Sequence, residues 1–434
     1  MTIQRTAIKL FFAGVTLAMC LPQGAGTLSA AEPLTVVADF EGASVRDVEI
    51  DQVARRIQFA PGGDPVRGWP CWWYFRIDGV TPGETLNLQL RGSTATVSRE
   101  AATGSTTSLV RPLSSVWAMP QQATFSADGS VWQHSAKGER QDEWMLYTLA
   151  PQSGSVFVAW GPPFTPTMAS ELVQELAKRS PHARITELCR SRGGRSVPML
   201  HVREGQRPNS QRFGVWVQAR QHAWESGSSW VARGFAEWLV SDDPDAAWLR
   251  QHAELFLVPI MDIDNTATGN GGKDALPHDH NRDWSDQPHW NETIAAQNKV
   301  ADLIDAGRMD VFLDLHNPAP GDPSFFYVLD PTLLPEPAVK LRNRFVDLAY
   351  ARISRIKPLI PMSITTKVTG PKYHPLWKNI SANWVAMHGN PHTVSLCLET
   401  IWNYRNSTTD GYLAVGANLA QATREFLAER PERP

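Results

Sequence analysis

The run Gly161-Pro162-Pro163-Phe164-Thr165-Pro166 divides the chain into two stretches that cannot share one architecture. Proline fixes φ and carries no backbone N–H, so neither a helix nor a strand ladder passes through such a segment. From about Leu34 to Gly161 the apolar residues come in short, strand-like runs: Arg56–Phe59, Trp72–Ile77, Thr85–Leu90 and Ser155–Trp160. Turn signals separate them at Gly62-Gly63-Asp64-Pro65, Pro82-Gly83 and Asp128-Gly129, and no helical face is present. This pattern predicts an antiparallel β-sandwich over residues 33–161.

Beyond the prolines the rhythm changes. Helical spacing appears at Met168–Lys178 behind Thr167 as cap, then at Ser228–Val240, Thr293–Ala306, Ala338–Ile353 and Leu413–Leu427. Strand-like runs alternate with these helices at Arg184–Cys189, Val197–Val202, Phe213–Val217, Leu255–Ile260, Val311–Leu315 and Thr393–Leu398. Alternation of this kind predicts an α/β domain over residues 167–430 with a mixed, largely parallel central sheet, whose sites form at strand ends. The overall class is therefore α/β, with the sandwich ahead of it.

At the N-terminus, Arg5 and Lys9 precede the apolar run Leu10–Leu21 and the small residues Gly24–Ala31. That is the layout of a signal peptide, residues 1–31, directing export to the periplasm or medium. The run is too short for a stable membrane span. Leu17-Ala18-Met19-Cys20 departs from a lipoprotein site because Met19 is too large. A net charge of −3 among 20% charged residues gives no basis for nucleic-acid binding. After processing, Cys71, Cys189 and Cys397 remain, in no metal-finger or redox spacing; they read as buried apolar side chains or as one disulfide plus a thiol.

The polar residues with chemical potential lie after strands. In Gln221-His222-Ala223-Trp224-Glu225, an imidazole and a carboxylate stand three apart just past Phe213–Val217. Zn²⁺ accepts that mixed ligation, although the spacing alone also suits a solvated pair. The irregular loop after Leu255–Ile260 carries Gly272-Lys273 and then His278-Asp279-His280-Asn281-Arg282. Arg beside Asn offers a fork of donors for a carboxylate; a loop held by its own hydrogen bonds is the alternative. Val311–Leu315 delivers His316, with Asp314 on the same strand face, as either a ligand or a structural histidine. Glu399 ends the apolar strand Val394–Leu398, where a carboxylate is costly unless paired or working.

In combination and order, these elements resemble the zinc carboxypeptidases of the carboxypeptidase A type. Ser191-Arg192-Gly193-Gly194-Arg195-Ser196-Val197 is similar to that family's segment before its first core strands. Gly68-Trp69, Trp73-Tyr74-Phe75-Arg76 and Asp78-Gly79 resemble the sandwich of the cytosolic-carboxypeptidase branch. The resemblance implies one Zn²⁺ per chain held by His222, Glu225 and His316. It implies that Asn281 and Arg282 bind the terminal carboxylate of a peptide or amide substrate. It also implies that Glu399, as general base, acts on a metal-activated water and passes the proton to the leaving amine.

The chain departs from the family at two points. Gly272 stands where the family places an oxyanion-stabilising arginine, with Lys273 adjacent as a substitute. Tyr373, in Gly370–His374, takes the place of the mobile tyrosine at an unusual offset. His278, His280 and His289 are expected to line the pocket or lie at the surface, not to bind metal. The pocket floor should come from residues between Tyr373 and Glu399, with Trp377, Lys378 and Trp384 as candidates. The implied activity is hydrolysis of a C-terminal peptide or isopeptide bond. Its rivals are a zinc amidohydrolase acting on cell-wall peptides or N-acyl amino acids and a non-catalytic carboxypeptidase-like binding protein.

Overall fold

The computed structural model describes residues 32–63, 68–93, 96–99 and 109–431. The leader expected at residues 1–31 lies outside them. The N-terminal part forms two five-stranded sheets. One runs, in spatial order, Thr35–Val37, Tyr74–Asp78, Ser155–Ala159, Thr124–Ser126 and Gln133–His134. The other runs Glu139–Gln141, Trp144–Leu149, Leu86–Arg91, Arg56–Ala60 and Arg46–Asp51. Period-two patterning explains the packing: Leu86, Leu88 and Leu90 are buried while Asn87 and Gln89 are half-buried. One pairing departs from the antiparallel expectation. Arg56–Ala60 lies parallel to Leu86–Arg91, because the strand between them in sequence, Tyr74–Asp78, belongs to the opposite sheet.

The second part is built on an eight-stranded sheet. Its strands in chain order are β1 (Ala183–Arg190), β2 (Ser196–Val202), β3 (Phe213–Ala219), β4 (Ala253–Val258), β5 (Met309–His316), β6 (Phe325–Leu329), β7 (Lys367–Thr369) and β8 (Val394–Glu399). Across the sheet the order is β1-β2-β4-β3-β5-β8-β6-β7. The central pairs β4/β3, β3/β5 and β5/β8 are parallel, as is β6/β7, while the remaining three pairs are antiparallel. Strands β3, β4 and β5 are buried at every residue, as parallel strands covered on both faces must be.

Two local readings are corrected, and of the two cysteine readings the buried thiols hold. The helix Pro166–Arg179 is capped by Thr165, whose hydroxyl accepts from the Met168 N–H at 3.3 Å, with Pro166 at the first helical position. Thr167 instead donates its N–H to Glu41 at 3.0 Å. The helix Ser381–His388 is absent from the sequence reading because Ser381 through Val385 are all buried, leaving no polar face to set a period. No disulfide forms among the described residues: Cys71 and Cys397 are buried thiols and Cys189 is half-buried.

The proline segment is not a free tether. Gly161, Pro162, Pro163, Phe164 and Pro166 are buried, and the sandwich core continues through Trp160 into Trp224 and Trp402 of the second part. The Trp160 and Trp402 ring centroids are 4.2 Å apart, and Trp224 meets Trp117 edge-on at 5.6 Å. Aromatic contacts of this kind fix the sandwich against the strand ends of the large sheet. No helix among the described residues is long and apolar enough to cross a membrane.

Candidate metal centre and substrate cavity

The centre sits at the carboxyl ends of β3, β5 and β8. After β3, Arg220 adopts φ +68°, a conformation that costs a non-glycine residue energy, and turns the chain sharply. Its buried guanidinium donates to the Ala223 carbonyl at 2.7 Å and the Phe164 carbonyl at 3.3 Å, so the loop bearing His222 is tied to the proline segment. Burial pushes the Arg220 guanidinium down to about 9, which leaves it charged at neutral pH.

The loop and β5 bring His222, Glu225 and His316 together, with one ligand atom from each lying within 4.8 Å of the others. Glu225 takes His222 Nδ1 at 2.8 Å and His316 Nδ1 at 2.7 Å, one on each carboxylate oxygen. Both Nε2 atoms face other carboxylates: His316 Nε2 meets Asp314 Oδ2 at 2.9 Å, and His222 Nε2 lies 3.5 Å from Asp279 Oδ1. Asp314 is held in turn by the Gln221 amide at 2.6 Å and the Ser381 hydroxyl at 2.6 Å. Carboxylates behind the imidazoles set ring orientation and raise ligand basicity.

The electrostatics favour a cation here. Burial alone would raise Glu225, but the two histidines outweigh it and hold the carboxylate well below its usual range. Burial would lower His316, yet Asp314 and Glu225 drive it well above the ordinary imidazole value. Two nitrogens and a carboxylate, all buried, match the three-ligand set of a catalytic zinc site, so the residues present fit that ion.

His222 and Glu225 border a cavity of about 310 Å³, large enough for roughly one terminal residue and its scissile bond. His222, Glu225, Lys273, Asn281, Arg282, Tyr373 and Glu399 all line it, while His316 lies just behind Glu225. Glu399 Oε2 is buried without a hydrogen-bond partner, and burial pushes the carboxyl up to about 7. Arg282 Nε is likewise buried and unpartnered, and its Nη1 donates to the Asn281 carbonyl at 2.9 Å. The Asn281 amide oxygen accepts from the Ser381 N–H at 3.1 Å, so the clamp abuts the start of the helix Ser381–His388. Tyr373 packs its ring 5.3 Å from Tyr327.

Gly272 explains the missing arginine. It sits at φ +72°, and a Cβ there would stand 2.2 Å from Asp262 Oδ2 and 2.9 Å from the Ala223 nitrogen. No side chain fits at that position. Lys273 reaches into the cavity instead, with Nζ 3.5 Å from His222 Nε2 and 5.2 Å above the Trp69 ring.

Other expectations shift. Trp377, Lys378 and Trp384 do not line the cavity; Ile380, Ala382, Asn383 and Cys397 do. His278 pairs with Asp283 at 2.6 Å outside the cavity, and His289 is half-buried. His280 is neither lining nor surface but buried between Asp262 and Glu292. Sequence reasoning missed Trp117 and Trp224, which wall the cavity on the sandwich side. It also missed Asp279 behind His222, whose signal was its place two residues before Asn281.

Residues 169–307 match the zinc carboxypeptidase family. Over that stretch the chain is similar to the zinc carboxypeptidases. Zinc is that family's metal, and His222, Glu225 and His316 are a group able to hold it. An uncharacterized protein of Zymomonas mobilis is 26% identical over 287 residues, covering 65% of this chain and 67% of that one. Cytosolic carboxypeptidase 2 of Danio rerio is 24% identical over 270 residues, 59% of this chain but 37% of the relative. The chain thus spans well under half the length of that larger carboxypeptidase. In fold it is similar to a metallo-carboxypeptidase from Burkholderia cenocepacia, with a TM-score of 0.73 and 20% identity over 92% of this chain and 99% of that one.

Proposed function

We propose that the protein is a zinc-dependent carboxypeptidase that removes the C-terminal residue of a peptide or isopeptide-like amide. The observation that carries this reading is the convergence of a carboxyl oxygen without a partner, an unpartnered guanidinium nitrogen and a His-Glu-His group at one cavity. When bound, zinc would supply Lewis-acid polarisation of the scissile carbonyl and lower the pKa of water. In this reading Arg282 and the Asn281 amide NH₂ hold the substrate's terminal carboxylate, and Lys273 faces the developing oxyanion from the sandwich side. Glu399 takes a proton from the attacking water and returns it to the leaving amine, a role suited to a carboxyl raised toward neutrality. Tyr373 closes the clamp side.

Chelation should abolish hydrolysis of an N-blocked dipeptide and Zn²⁺ should restore it. Glu399→Gln should keep one zinc per chain yet lose activity; a fully active Glu399→Gln protein would refute the mechanism. The lack of a side chain at Gly272 favours a second reading, an amidohydrolase for acylated amino acids or cell-wall peptides, since oxyanion support rests on an ammonium and not a guanidinium. Parallel assays on blocked dipeptides, N-acyl amino acids and muropeptides distinguish the two. Tight peptide binding without turnover by zinc-loaded protein would instead mark a binding protein.

Export rests on the N-terminal pattern of Arg5, Lys9 and Leu10–Leu21. A mature N-terminus close to residue 32 in the exported fraction would support it, and an intact Met1 there would not.

A further inference from the structure

The two ends of the cavity differ in charge. On the sandwich side stand Lys273 and the rings of Trp69, Trp117 and Trp224. The other end is fixed by the clamp: the Asn281 amide is tied to the Ser381 N–H, so whatever extends past a bound terminal carboxylate meets the first turn of Ser381–His388 and the edges of β6, β7 and β8. Besides the base Glu399, whose Oε1 lies 3.9 Å from Cys397 Sγ, the cavity residues from those elements are Phe325, Tyr327, Thr369, Ile380, Ala382, Asn383 and Cys397. None of these seven carries a charge. Burial drives both the Cys397 thiol and the Tyr327 phenol well above their ordinary values, which keeps them protonated.

The polar atoms at this end are already engaged. The Thr369 hydroxyl contacts Asn383 Oδ1 at 2.7 Å and the Val328 carbonyl at 3.0 Å, and Asn383 Nδ2 donates to the Trp377 carbonyl at 2.8 Å. Beside Arg282, burial pushes His374 down to about 3, so it adds no charge at neutral pH. Every ionised group lining the cavity among the described residues therefore has a task elsewhere: His222 and Glu225 at the metal centre, Glu399 as base, Arg282 at the carboxylate and Lys273 against Trp69. A charged side chain placed here would be desolvated with no counter-charge, which is strongly unfavourable.

We propose that the pocket beyond Arg282, floored by Thr369, Ala382, Asn383 and Cys397, selects terminal residues with uncharged side chains. This rests on the carboxypeptidase reading above and narrows its substrate class. Acidic and basic terminal residues are excluded by one cause, the absence of a partner, and not by size.

The test uses zinc-loaded full chain and a series of N-blocked dipeptides ending in Leu, Phe, Gln, Glu or Lys. Neutral residues should exceed Glu and Lys in kcat/KM by about 100-fold. In parallel, the free amino acids Leu, Gln, Glu and Lys are titrated as product ligands, so that pocket preference is read without turnover. Turnover with Glu or Lys equal to or above the neutral residues overturns the inference and leaves the carboxypeptidase reading standing. Absence of turnover on the whole series overturns that reading, and the titrations then decide the pocket, with equal or tighter binding of Glu or Lys counting against it. Ala382→Arg should bring Glu-terminal substrates to within a few-fold of Leu-terminal ones. Ile380→Arg serves the same purpose should the first variant fail to fold.

Discussion

Two buried histidines sit between two carboxylates each, and their geometries differ. His316 meets Glu225 and Asp314 at 2.7 and 2.9 Å, every partner inside hydrogen-bond distance and open to a cavity through Glu225. His280 meets Asp262 and Glu292 at 3.7 Å on both sides, stacks on Trp290 at 4.8 Å, and neither ring nitrogen has a hydrogen-bond partner. The same residue types thus make a candidate ligand set in one place and a charge cluster in the other. What separates them is convergence: in the first, a third ligand from another element, His222, shares Glu225. In the second, the carboxylates lie on opposite sides of one ring and no common point exists for an ion.

The strongest way to break this contrast is to remove each histidine. His316→Ala should lose zinc, read by metal analysis of the purified protein, and lower kcat/KM by about 10⁴-fold or more. His280→Asn should retain one zinc per chain. Zinc loss in the second variant, or retention in the first, would mean that the distances mislead.

A smaller effect is expected at Lys273. Its Nζ lies beside the metal centre but on the sandwich side, so Lys273→Met should keep zinc and lower kcat/KM by about 10²-fold, the scale of one oxyanion donor. Lys273→Arg should not restore full activity, because a guanidinium presents its donors in a rigid fork where the ammonium is a compact point charge. Unchanged turnover by Lys273→Met would remove Lys273 from the mechanism.

How much of this the sequence displayed depends on whether a signal is local. His222, Glu225, His316 and Glu399 were legible because each follows an apolar run, and strand ends in a parallel sheet converge by topology. The alternating leucines at 86–90 displayed the sandwich in the same way. By contrast, the helix Ser381–His388 and the pocket floor were not legible: Ala382 and Asn383 are small, ordinary residues whose placement comes from a tertiary contact to Asn281. Gly272 was visible only as a gap in a pattern. Its reason, the approach of Asp262 and the Ala223 nitrogen, requires two distant segments to be in place.

Gly272 also joins the two histidine clusters, since it packs between Asp262 of one and the loop bearing His222 of the other. Gly272→Ala should destabilise the fold by about 2–4 kcal/mol, from backbone conformation plus the clash, measured by denaturant unfolding. Loss of activity with unchanged stability would show instead that the loop yields and the metal centre does not.

The smallest effect sharpens the comparison from the charge side. Burial would lower His280, but Asp262, Glu292 and Asp283 outweigh it and raise the imidazole to about 9. An unfolded histidine titrates near 6.5, so the folded state holds the proton more tightly. The stabilisation is fully present below about pH 6.5 and is lost as pH rises through about 9, on the order of 3 kcal/mol for a shift of this size. Unfolding free energies of the wild type should therefore fall between pH 6.5 and 9, and His280→Asn should flatten that decline. Because Asp262 and Glu292 would then face a neutral amide, the variant should also be least stable, relative to wild type, at the acid end of the window. A decline of equal steepness in both proteins would place the titration elsewhere and reduce His280 to a packed ring against Trp290.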